Sequence, residues 1–217
     1  MRWIGQHCSM TQKPGLDGAY ALQSKDDNRR LYADWAETYD SDFVDAMDYR
    51  LPFEVARQFA AVGGEGPVLD IGAGTGAVAL HLSKLGVGPV DGTDISAEML
   101  EIARGKGLYS RLFTGDVTDR LDVADAAYRG VLSAGTFTLG HVGPEAIDEL
   151  LRVLAPGGVM VISVNARHWD SSSFAAKLES IKAKIDDLAM PEVAIYGPGA
   201  TGEHATDLAL IVTFRKR

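Results

Sequence analysis

The sequence predicts an α/β domain: a mostly parallel sheet of about seven strands with helices on both faces. Three observations carry that prediction. Short apolar runs such as Val68-Leu69-Asp70-Ile71 alternate with segments whose apolar residues recur at helical spacing. The first run passes directly into Gly72-Ala73-Gly74-Thr75-Gly76, a glycine turn that opens an amphipathic segment. The 217 residues, 46% of them hydrophobic, suffice for one domain with a full-sized core.

Residues 1 to 26 lack a sustained period and contain Pro14, Gly15 and Gly18, so they read as a flexible leader. Residues 27–217 read as one domain, divided into a helical lid over 27–63 and a core over 64–217. In the lid, Leu31, Trp35, Tyr39 and Phe43 lie along one helical face, with a break near Asp40-Ser41. A second helix is expected from Leu51 to Ala61. The core opens with a strand from Val68 to Ile71 and a helix from Gly76 to Leu85. A strand from Pro89 to Asp94 and a helix from Ser96 to Arg104 follow, with Ser96 as cap and Glu98 in the favourable first turn.

Leu112 to Gly115, Gly130 to Phe137 and Val159 to Val164 supply three more strands. A helix from Ile147 to Leu154 precedes the last of these and is stopped by Pro156-Gly157-Gly158. Beyond His168 the pattern predicts a helix from Phe174 to Leu188, a short apolar run from Val193 to Tyr196 and a final strand from Leu208 to Phe214. Such alternation places a ligand at the carboxyl ends of the strands, where strand order reverses.

Composition narrows the function classes. No stretch approaches the roughly 20 apolar residues of a membrane span, and a cytoplasmic protein, monomeric or homodimeric, is expected. The lone Cys8 offers neither an internal disulfide nor a metal site, and none is expected. A formal charge of −9 opposes attraction to nucleic acid phosphates, which favours a small-molecule partner.

The glycine turn fits two ligand classes. A dinucleotide fingerprint can be laid on Gly72, Gly74 and Ala77. Asp70 argues against it, because a carboxylate facing a pyrophosphate is repelled by about 1 kcal/mol or more, while an ammonium is attracted. Asp94, at the end of the second strand, can accept both hydroxyls of a ribose under either hypothesis.

Val68 to Gly76 resembles, without a gap, the first motif of the class I S-adenosylmethionine-dependent methyltransferases, in which an acid stands two residues before a G-x-G-x-G turn. The resemblance implies a Rossmann-like, seven-stranded sheet whose last strand is antiparallel, with S-adenosyl-L-methionine as cofactor and S-adenosyl-L-homocysteine as product. It places Gly72, Gly74 and Gly76 against the methionine and ribose, and Asp70 near the amino group. Asp94 becomes the ribose acid, Ile95 packs on the adenine, and Gly115-Asp116-Val117 looks like the adenine motif, with Asp116 accepting from the exocyclic amine and Val117 meeting a ring nitrogen.

Three further stretches resemble the methyltransferase-like proteins named for the Williams–Beuren chromosomal region: Tyr32-x-x-Trp35-Ala36-x-x-Tyr39-Asp40, Asp48 to Pro52, and Ser133 to Val142. That likeness adds Tyr32, Trp35, Tyr39 and Ser133 to the expected cofactor-binding set, although the aromatic row serves core packing as readily as a lid. His141 is the best-placed general base. The function implied is methyl transfer to a small-molecule acceptor by in-line displacement. An NAD-dependent oxidoreductase and a cofactor-binding protein that transfers nothing are the alternatives.

Overall fold

The computed structural model describes Gly15, Gly18, Ala19, Leu22 and residues 24–217. Most of the expected leader, Cys8 included, thus lies outside the described residues. Helix α1 spans Lys25–Trp35, starting two residues before the expected boundary because Ser24 caps it: its Oγ accepts from the Asp27 N–H at 3.1 Å, and Asp26 and Asp27 complement the dipole. The helix ends at Trp35, ahead of the expected break near Asp40-Ser41, and a turn over 36–38 leads to a π-helical segment over Asp40–Asp45 that contains both residues. Helix α2, Leu51–Ala61, has the expected bounds, with Pro52 in its first turn and Leu51, Val55, Ala56 and Phe59 buried.

The core alternates as its spacing predicts. Strand β1 (Val68–Ile71) leads to α3 (Ala77–Lys84), β2 (Val90–Asp94) to α4 (Ala97–Gly105), and β3 (Arg111–Thr114) to β4 (Tyr128–Phe137). Ser96 caps α4 by accepting from the Met99 N–H at 3.2 Å. Helix α5 (Ile147–Val153) ends before Pro156-Gly157-Gly158: Leu154 already adopts extended angles and opens β5 (Leu154–Asn165), which runs through that tripeptide.

The sheet order is β3-β2-β1-β4-β5-β8-β6, where β6 is Ile185–Ala189 and β8 is Leu208–Lys216. All pairings through β5 are parallel, and β8 (Leu208–Lys216) enters antiparallel against β5. Successive residues of the central strands face opposite sides. Leu69, Ile71, Val131, Met160 and Ile162 pack with Leu150 of α5. Val68, Leu132 and Val161 pack with Phe59 of α2 and Leu82 of α3 on the other face. Each fully buried Leu or Phe contributes on the order of 2 kcal/mol.

The carboxyl-terminal part departs from the pattern. A helix over Ala166–Ser171 (α6) was not foreseen; Asn165 caps it, its side chain accepting from the Arg167 N–H at 2.9 Å. The helix expected from Phe174 to Leu188 is shorter, α7 over Phe174–Ile181, and Ile185–Ala189 is instead strand β6. Only Ile185 of β6 is buried, so its apolar pattern is weak, and its ladder partner is β8. A short β7 (Glu192–Ala194), overlapping the apolar run expected from Val193, pairs with the other half of the same edge, so β6 is the strand that raises the count to eight.

Candidate active site

Strand order reverses between β1 and β4, and a cavity opens there at the carboxyl ends of the strands. The glycine turn after β1 forms its floor. Gly72, Gly74 and Gly76 have φ of 65°, 52° and 95°, in the left-handed region that L side chains rarely enter. A Cβ added at Gly72 would stand 2.0 Å from Thr136 Oγ1, whereas one at Gly74 would meet nothing within 4 Å and would project into open space. Gly74 lines the cavity, so this space is a cradle that its missing side chain leaves open.

Asp94 fixes the turn. Its Oδ2 accepts from the Gly74 N–H at 2.8 Å and its Oδ1 from the Ser96 N–H at 2.9 Å. Each carboxylate oxygen retains acceptor capacity for a further hydroxyl. Burial raises the Asp94 pKa, opposed by these backbone hydrogen bonds. Beyond it, Ile95, Asp116 and Val117 line the same wall. Asp116 accepts from the Thr118 N–H and hydroxyl through Oδ1, at 2.9 and 2.6 Å, and pairs through Oδ2 with Lys25 Nζ at 2.7 Å.

Asp70 is fully buried beneath the turn. Its Oδ2 accepts from the Tyr109 hydroxyl at 2.7 Å, and its Oδ1 has no hydrogen-bond partner. Burial lifts its pKa to about 7, against the lowering effect of that hydrogen bond, with the nearby Asp94 charge adding to the rise. A buried carboxylate oxygen without a donor is costly, and a cationic group nearby would relieve it.

The segment before the core closes over the cavity. Tyr32, Tyr39, Phe43 and Tyr49 line it, together with Ile195 and Tyr196 from the segment after β7. Asp40 fastens this cover to the core, accepting from Thr75 Oγ1 at 2.5 Å and pairing with Lys106 Nζ at 2.5 Å. Tyr32 meets His141, the hydroxyl lying 3.0 Å from Nε2, while Nδ1 lies 2.9 Å from the Leu139 carbonyl oxygen. Burial lowers the His141 pKa, opposed by the hydrogen bond to the Leu139 carbonyl, with His168 adding to the fall.

Of the residues expected at the site, Gly72, Gly74, Asp94, Ile95, Asp116, Val117, Tyr32, Tyr39 and His141 share the cavity wall. Asp70, Gly76, Ser133 and Trp35 do not. Ser133 is buried and donates to the Ile71 carbonyl oxygen at 2.8 Å, supporting the turn from behind. Trp35 is buried in the core cluster, its ring 5.0 Å from that of Tyr39. Sequence reasoning did not single out Lys25, Asn28, Tyr196 or Ser163, which also line the cavity. Tyr196 carries a signal only in three dimensions, through its bridge to Tyr49. Among the described residues no cluster suits a metal ion, and no helix is long and apolar enough to cross a membrane.

A sheet with one antiparallel strand next to the edge and a glycine-floored cavity at its switch point defines the architecture of the class I methyltransferases, and residues 68–158 match the family model described as a methyltransferase domain. Residues 68–158 thus match a methyltransferase domain, and the fold is that of this class. The chain is similar to methyltransferase-like protein 27 of Homo sapiens, 34% identical over 164 residues that cover 73% of this chain and 64% of that protein. It is also similar to a demethylmenaquinone methyltransferase of Thermus thermophilus, 39% identical over 100 residues covering 44% of this chain and 45% of the relative. The chain thus spans less than two thirds of the length of these relatives. In fold it matches a SAM-dependent methyltransferase from Thermotoga maritima with a TM-score of 0.59, at 19% identity, over 86% of this chain and 98% of the other.

S-Adenosylmethionine, the cofactor this fold implies, suits what is present. The Gly74 cradle admits a close backbone contact, Asp94 retains acceptor capacity toward a ribose, and the orphaned Asp70 oxygen lies under the turn in need of a positive neighbour.

Proposed function

We propose that this protein transfers the methyl group of S-adenosylmethionine to a small-molecule acceptor by in-line displacement. The observation that carries this reading is the pairing of the open Gly74 cradle with Asp94, which binds the turn's own N–H, in one cavity with Asp116 and Val117. In that role Gly72 and Gly74 receive the methionine and ribose, Asp94 the ribose hydroxyls, Ile95 the adenine face, and Asp116 with Val117 the adenine edge. Asp70, Gly76 and Ser133 act from behind the wall, by charge and by holding the turn. The cofactor brings an activated methyl group; the chain supplies orientation and exclusion of water.

The lid in this reading is narrower than the expected 27–63, because α2 packs in the core: residues 25–49 act as the lid, with Tyr32 and Tyr39 on its inner side and Trp35 packing behind them. His141 is the general base for an acceptor that must lose a proton. The names of the quinone-methylating relatives make a small aromatic acceptor a natural first trial, and the aromatic wall is consistent with it.

Calorimetry with S-adenosylmethionine, S-adenosylhomocysteine and NAD tests the reading. Binding of the first two with little for NAD is expected. NAD binding alone would transfer the case to the oxidoreductase alternative, and binding of the methyl donor without labelled product from a metabolite extract would favour a pocket that transfers nothing.

A further inference from the structure

We infer that Tyr32 and His141 work as a single proton-accepting pair, and that the acceptor they serve is an uncharged aromatic hydroxyl compound. The inference rests on the methyltransferase reading and adds the substrate class and a catalytic role for Tyr32.

Hydrogen-bond direction is the first argument. The Leu139 carbonyl oxygen can only accept, so the contact at 2.9 Å places the proton on His141 Nδ1. The neutral ring then carries its lone pair on Nε2, and the Tyr32 hydroxyl, 3.0 Å away, donates to it. A phenol oxygen that donates to a base becomes a better acceptor toward a third group. Both residues line the cavity.

The surroundings keep the imidazole neutral and ready. Tyr32 faces it from α1. His168 faces it from α6, with its Nε2 2.9 Å from the Val142 carbonyl oxygen and its Nδ1 3.2 Å from Ser172 Oγ. Burial disfavours the charged form of His141, against the Leu139 carbonyl, which favours it, and His168 adds to the effect of burial.

The wall selects the acceptor. It holds the rings of Tyr39, Phe43, Tyr49 and Tyr196, with Phe43 and Tyr49 4.8 Å apart and Phe43 and Tyr196 6.1 Å apart. The polar groups at the neighbouring strand end are Ser163 and Asn165, both uncharged. Among the described lining residues the one lysine or arginine is Lys25, and Asp116 holds it at the opposite end. Among the described residues a carboxylate or phosphate acceptor would meet no counter-charge here. A free amine attacks through its own lone pair and leaves the pair without a task. A phenol uses both features: its ring stacks on aromatic faces, and its O–H needs a base.

The balance is complete. The acceptor's O–H bond breaks and its proton passes to the Tyr32 oxygen, as the Tyr32 proton moves to His141 Nε2 and gives an imidazolium. The acceptor oxygen forms a bond to the methyl carbon, the methyl–sulfur bond breaks, and its electron pair stays on sulfur as a neutral thioether. One positive charge enters and one leaves.

The test uses 4-nitrophenol, whose ionised form is coloured, bound to the full chain saturated with S-adenosylhomocysteine so that no turnover occurs. Wild type is expected to bind the probe and to raise its acidity about tenfold or more, one pH unit in the absorbance titration. Tyr32→Phe, which keeps the ring packing, and His141→Gln are each expected to abolish that shift at S-adenosylhomocysteine concentrations that saturate each variant. Nitrogen NMR of His141 should show the Nδ1–H tautomer. Failure of the probe to bind, an unshifted titration in wild type, or a shift that survives Tyr32→Phe would overturn the inference. Absence of S-adenosylhomocysteine binding would instead strike the methyltransferase reading beneath it.

Discussion

The Tyr109 hydroxyl donates to Asp70 Oδ2 at 2.7 Å directly behind the glycine turn, while the other Asp70 oxygen has no partner. The carboxyl group is thus half satisfied and fully buried, which costs stability in its charged form and prepares it for a cationic neighbour.

A sign can be assigned to the pH dependence. Folding raises the Asp70 pKa from 3.8 to about 7, so its stabilising contribution is complete below pH 3.8 and is lost as pH rises through 7. The loss is on the order of 3–4 kcal/mol for this group. Asp70→Asn keeps a partner for Tyr109 and removes the charge. Thermal melts of the ligand-free variant should show a higher Tm than wild type at pH 8 and little difference at pH 4.

The same charge should appear in binding. Affinity for S-adenosylmethionine should increase as pH rises past 7 in wild type and be flat in Asp70→Asn, with a loss of about tenfold at pH 8. Calorimetry across that range checks this, and a pH-independent wild type would separate Asp70 from the cofactor.

Two neighbouring glycines should fail differently. Gly72→Ala forces a Cβ to within 2.0 Å of Thr136 Oγ1 on top of an unfavourable φ of 65°, so it should destabilise the fold by about 2–4 kcal/mol in urea titrations. Gly74→Ala meets no protein atom within 4 Å and carries only the backbone cost, about 1–2 kcal/mol. Its larger effect should be on cofactor affinity, with a loss of about tenfold or more.

Much of this was legible in the sequence where local pattern and tertiary fate agree. The bounds of Leu51–Ala61 and Val68–Ile71 could be read directly, because their apolar spacing is strong: the helix buries one face and the strand both. Strand β6 could not. Its Asp186 and Asp187 interrupt the apolar pattern, and its hydrogen bonds come from β8, far along the chain. The site divides in the same way. Asp94 and Asp116 stand at strand ends that motif spacing locates. Tyr109, Lys25 and Tyr196 acquire their roles only through partners distant in sequence. Trp35 and Tyr39 illustrate the limit of spacing: both lie on the apolar side, yet only Tyr39 reaches the cavity.

Lys25 should compete for the adenine end. Its ammonium pairs with Asp116 Oδ2 at 2.7 Å, the acid proposed for the exocyclic amine, but more than half of its side chain is exposed. An ion pair so exposed is worth about 0–1 kcal/mol. Lys25→Met should therefore strengthen cofactor binding by no more than about fivefold, and the difference from wild type should shrink at high salt.

Asp40 should govern closure of the lid. It joins the π-helical turn to Thr75 in the glycine turn and to Lys106 at the end of α4. Asp40→Ala should speed hydrogen exchange across residues 36–49 and raise the cofactor dissociation rate severalfold, with association little changed.

The central claim is that the cavity between the β1 and β4 ends receives S-adenosylmethionine across the glycine turn. A crystal structure of the full chain grown with S-adenosylhomocysteine tests it most directly. The account predicts the ligand with its ribose hydroxyls on Asp94, its backbone contact at Gly74 and its adenine between Ile95 and Asp116. A crevice that stays empty at saturating ligand, or a ligand bound elsewhere, would contradict it.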